Sequence, residues 1–171
     1  MINSTTTSAP APESSVVAQR TDNASLLRRL EFEQLLGEVS THFINLSAEE
    51  IDRHINQALG RVGSFLGFNL GAISKFSGQG NGCEVTHIWT AVGVPPVPPG
   101  FTELDFPWAS GSVAQGREVH LTSLDVLPLE AQRDRQTYER FGLRSVYNWP
   151  LQVGGTVVGI LSFASVGKAH G

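Results

Sequence analysis

The chain has 171 residues, 40% hydrophobic and 16% charged, with a formal net charge of −4. That suits one domain with its own core and argues against a basic surface for nucleic acid or an anionic membrane. Cys83 is the single cysteine, which rules out an internal disulfide and any multi-cysteine metal site.

Residues 1–24 are rich in Ser, Thr, Ala and Pro and read as a disordered tail. They lack the basic start and apolar core of a secretory signal, and no apolar run reaches the ~20 residues of a membrane span, so a cytoplasmic domain with no membrane contact is expected. From Leu26 the pattern changes. Leu27, Leu30, Leu35, Leu36, Val39 and Phe43 recur at helical spacing, and Arg29 precedes Glu33 by one turn, which predicts an amphipathic first helix. Ser47 with Glu50 forms a capping box, flanked by Leu46 and Ile51 as a hydrophobic staple. Ile51, Ile55, Leu59, Val62 and Leu66 line one face before Gly67, so a second helix follows with a left-handed stop.

The period then falls to two. Residues 69–76 and 83–92 read as strands joined by a glycine-rich turn. The stretch 93–105 holds Pro95, Pro96, Pro98 and Pro99. Prolines fix φ and remove backbone donors, so this is a stiff connection outside both sheet and helix. A short helix starting at Pro107, a strand over 118–123 and a helix between Pro128 and Gly142 come next. Two last strands flank Gly154-Gly155, a two-residue hairpin signal. Pro150 inside the first of them predicts a bulge or an edge. The order α-α-β-β-loop-α-β-α-β-β, with antiparallel hairpins at both ends, points to an α+β fold.

Over roughly residues 26–166, and most clearly in "RFGLRSVYNWPL" and "VGGTVVGILSF", the chain resembles GAF domains of bacterial sensor histidine kinases and enhancer-binding transcription activators. The resemblance implies a GAF domain over residues 25–171, built on a central antiparallel sheet. N-terminal helices would cover one face, and a lid of loop plus short helices the other. It implies a sensory role without catalysis: a small molecule held under the lid, and a signal relayed through helices to a kinase or ATPase output module. GAF domains of this kind continue past the last strand into a helix, whereas here "SVGKAHG" follows, so the domain is expected to be truncated there. The alternative is a dimerisation or interaction module without a ligand. A GAF-type methionine sulfoxide reductase is a weaker reading, because one cysteine cannot close a resolving disulfide.

Strict alternation along the second strand puts Val85, His87 and Trp89 on one face and Thr86 and Ile88 on the other. A histidine beside a tryptophan either lines a pocket or, more commonly, is packed with its polar atoms satisfied by neighbours. Trp108 in the roof helix and Tyr147 on a late strand pose the same choice. The ligand-binding candidates are therefore His87, Trp89, Trp108 and Tyr147. The lid carries Pro95, Pro96, Pro98 and Pro99, whose stiffness lowers the entropy lost on closure; a solvent-facing connection is the other reading of these prolines.

The cofactor is not identified. The resemblance puts a bilin-bearing cysteine in the lid region or a later helix, so the position of Cys83 argues against a bilin. A lone strand histidine, His87 or His120, is weak ground for haem. No nucleophile elbow, H-E-x-x-H pair or phosphate-binding glycine loop occurs, so no catalytic or metal residue is assigned. Glu130, Asp134 and Glu139 with Arg133, Arg135 and Arg140 read as a solvated helix face. The broad apolar stripe of the first helix predicts a homodimer through it.

Overall fold

The computed structural model describes residues 12–42, 47–77, 83–95 and 105–167. The chain divides into two units, Met1–Thr41 and His42–Gly171. The first unit contains helix α1, Pro12–His42, which begins inside the stretch read as a tail. The unit boundary thus falls at Thr41 rather than near residue 25. On α1 the Arg29 Nε lies 3.2 Å from Glu33 Oε1, the expected one-turn pair. Leu27 and Leu30 are 61% and 63% exposed. Phe43, the far end of the predicted stripe, and Leu46 of the predicted staple lie outside the described residues.

The second unit runs α2 (Ala48–Leu66), β1 (Leu70–Phe76), β2 (Cys83–Thr90), α3 (Pro107–Ala114), β3 (Val119–Leu121), α4 (Gln132–Arg140), β4 (Leu143–Val153) and β5 (Thr156–Val166). The strands form one antiparallel sheet in the order β2-β1-β5-β4-β3. The α+β class expected from the sequence is the class observed. Helix α2 packs against β1 and β2, whereas α3 and α4 pack against β4 and, for α3, β5.

Local chemistry explains these boundaries. The Glu50 carboxylate accepts hydrogen bonds from the Ser47 amide at 3.1 Å and its hydroxyl at 2.7 Å, which starts α2 and holds the Glu50 carboxyl below its ordinary range. Gly67, at φ 83°, ends it. Gly154 and Gly155 both take positive φ, 58° and 81°, as a two-residue turn between β4 and β5 requires. Pro150 pairs with Ile160 on β5, while β3 pairs with β4 only over Val146–Asn148. At Pro150, β4 therefore has no β3 neighbour, and the register shifts just beyond it, between Leu151 and Gln152. Asn69 extends the ladder by side chain: its Nδ2 donates to the Val166 carbonyl at 2.9 Å and its Oδ1 accepts from the Val166 amide at 2.7 Å. Among the described residues no helix is long and apolar enough to cross a membrane.

Candidate functional site

A cavity of about 470 Å³ lies between the sheet and the α3/α4 layer. Alternate residues of four strands make its floor: Val85 and Ile88 of β2, Ala72 and Ser74 of β1, Ile160, Ser162 and Ala164 of β5, and Val146 and Asn148 of β4. The register places Asn148 opposite Ser162 and Ser162 opposite Ala72, with Ser74 one step along beside Ile160. Directly opposed residues on one face of a sheet lie ~5 Å apart, so Asn148, Ser162 and Ser74 draw a diagonal polar row across an otherwise apolar floor.

The roof is fastened by one carboxylate. Asp134 of α4 is fully buried and accepts from the Trp108 amide at 3.1 Å and the Ala109 amide at 2.8 Å. These are orphan donors in the first turn of α3, and a negative group there also suits the helix dipole. Burial nonetheless outweighs those hydrogen bonds and raises the Asp134 carboxyl above its ordinary value. One turn on, Tyr138 is 2% exposed and its ring lies 4.8 Å from that of Phe106. Burial, reinforced by the Asp134 charge and opposed by a hydrogen bond with the Asn148 side chain, pushes the Tyr138 hydroxyl strongly upward. Tyr138 is thus a neutral hydroxyl that ties the roof to the polar row. Arg140 and Glu139 sit at the rim, both exposed.

No family model and no curated protein matches this sequence. Solved structures do. A NreA protein from Staphylococcus aureus, mutated in its nitrate binding site, aligns at 17% identity over 71% of this chain and 89% of that one, with a TM-score of 0.54. The phycoerythrobilin-bound GAF domain of a cyanobacterial phytochrome aligns at 13% over 81% and 83%, TM-score 0.64. A far-red-absorbing dark-state protein with bound biliverdin IXα aligns at 18% over 77% and 82%, TM-score 0.61. The fold is that of a GAF domain.

Within this GAF fold the residues expected to bind a ligand are not gathered in the cavity. Ile73 pairs with His87 and Ser74 with Val85, so Thr86 is an extra residue in β2. Such a bulge reverses the alternation beyond it. Val85 lines the cavity, while His87 and Trp89 turn to the α2 face and Ile88 takes their place. His87 Nε2 lies 3.2 Å from Asp52 Oδ1 on α2. Gly60 and Gly63 of α2 press on the Trp89 indole, where an added Cβ would come within 2.8 and 2.7 Å of ring atoms. Tyr147 stacks between His120 and Trp149, at centroid distances of 3.6 and 5.4 Å, on the face of Phe163 rather than that of Asn148. Trp108 is half-buried against the core through α3 but does not line the cavity. Of the lid prolines, Pro95 borders the cavity, and Pro96, Pro98 and Pro99 lie outside the described residues.

Two further expectations are corrected. Asp134 is no part of a solvated face, because the amides of α3 enclose it. The argument against a bilin from the position of Cys83 also falls. GAF structures with bound phycoerythrobilin and phycocyanobilin, and the biliverdin-bound structure, match this fold, and Cys83 itself lines the cavity. The polar row and Tyr138 were missed because sheet register and a helix 26 or so residues from α3 bring them together, which no local motif records.

Proposed function

We propose that this chain is a sensory GAF domain: a small molecule fills the cavity, and its presence is passed through helices to an output module, a kinase or ATPase, of a bacterial signalling protein in the cytoplasm. The observation that carries this reading is the half-open, largely apolar cavity with a polar row on its floor, the arrangement by which small-molecule sites fix orientation. Bilins held by matched structures, and the nitrate binding site named for NreA, support a ligand on this scaffold. No catalytic role is part of the proposal; a sulfoxide-reductase cycle would need a second cysteine in the chain.

Exposed Leu27 and Leu30 on α1 favour homodimerisation through that helix, which serves either relay or a purely assembling role. The test of ligand binding is native mass spectrometry of the purified chain, followed by addition of phycocyanobilin or biliverdin with visible absorbance as readout. A stoichiometric adduct or a shifted bilin band supports the reading. A chain with no adduct, no band and no thermal stabilisation across a metabolite set supports the assembling role alone.

A further inference from the structure

We infer that the part of the ligand enclosed in the cavity is uncharged and apolar, and that it presents one neutral hydrogen-bonding edge to Ser74, Ser162 and Asn148. The inference rests on the cavity being the ligand site. Its walls are mainly Ala72, Val85, Val146, Ile160 and Ala164, which offer an ion nothing in exchange for its water.

The charged groups nearest the cavity are Asp134, Glu139, Arg140 and exposed Arg144, which packs against Gly167 of the cavity wall. Asp134 is held by two amides of α3. Arg140 lies at the rim with Nη2 3.4 Å from Asp105 Oδ1 and its guanidinium 4.5 Å from the Phe141 ring centre. Charged substituents of the ligand therefore belong at the rim, beside exposed Glu139 and Arg140.

The floor makes the opposite offer. Ser74 is 9% exposed and Asn148 8%, Ser162 is half-buried, and all three line the cavity. Asn148 bonds with Tyr138, which leaves further positions on its amide. An amide, carbonyl or hydroxyl edge seated across this row can bond all three in an otherwise apolar site, the few placed polar groups by which such sites fix orientation. Hydroxyls and an amide both donate and accept, so the edge is matched by neutral groups of either kind.

Two probes of one shape test this: naphthalene-2-carboxamide and naphthalene-2-carboxylate, titrated calorimetrically into the full chain. The carboxamide is expected to bind at least tenfold tighter. Ser162→Ala and Ser74→Ala should each weaken it threefold or more while leaving the carboxylate unchanged. A carboxylate that binds as tightly, or a carboxamide indifferent to both serines, overturns the inference and leaves the cavity reading standing. Ser162→Leu separates the two ideas by filling the cavity. If that folded variant binds the carboxamide as the native chain does, or if neither probe binds the native chain, the cavity is not the ligand site and both fall.

Discussion

The Asp134 carboxylate holds the roof through two amides while excluded from water, and that combination has measurable consequences. Asp134→Ala strands the Trp108 and Ala109 amides and should cost about 2–4 kcal/mol of stability in denaturant titrations, each buried unmet donor contributing roughly 1–3. Asp134→Asn keeps an acceptor and should cost less. The raised carboxyl sets the sign of the pH effect. The folded state holds the proton more tightly than the unfolded chain, whose aspartate titrates near ~3.9. This contribution is fully present below that value and is lost as pH rises through the higher folded one. The native chain should therefore lose stability relative to Asp134→Asn as pH climbs through that window; a gap widening in favour of the native chain contradicts the assignment. The residue was legible in part. Ala131, Asp134, Tyr138 and Phe141 fall at helical spacing, so Asp134 shares the stripe of the apolar anchors, but its partners on α3 cannot be read locally.

Helix caps and the Gly154-Gly155 hairpin were readable because their chemistry is complete within a few residues. The bulge in β2 was not. Thr86 counts as extra only against its partner strand, where its hydroxyl donates to the Ile73 carbonyl at 3.1 Å, and this one residue turns His87 and Trp89 to the α2 face, away from the cavity. Their role in the structure is packing beneath α2. Trp89→Ala should cost about 3 kcal/mol, the lower end for loss of a packed large aromatic, while leaving carboxamide affinity unchanged. Parallel loss of affinity in the folded variant would return Trp89 to the binding site. Gly60→Ala offers a sharper check. In a helix interior alanine normally gains up to ~1 kcal/mol over glycine, yet here its Cβ would lie 2.8 Å from Trp89 Nε1. The variant should lower the melting midpoint, and a raised midpoint would show that the indole is not confined there.

At the scale of the whole molecule the α+β class and the order of elements along the chain followed from periodicity and resemblance, while the order of strands in the sheet, the extent of α1 and the cavity wall did not. Ser, Thr and Pro dominate the start of the chain, and composition alone hides a helix that begins at Pro12. The exposed leucines of α1 predict assembly: light scattering at tens of micromolar should give a dimer, and Leu30→Glu a monomer with the domain's circular dichroism intact. A native monomer would remove the helix from the proposed relay. The central claim is that the ligand sits on the Ser74–Ser162–Asn148 face and not on the His87–Tyr147 face. Native mass spectrometry of the chain carrying its ligand, compared between Ser162→Leu and His87→Ala, tests it most directly. The account predicts that Ser162→Leu abolishes the adduct and His87→Ala keeps it; an adduct lost with His87→Ala and retained in Ser162→Leu would contradict it.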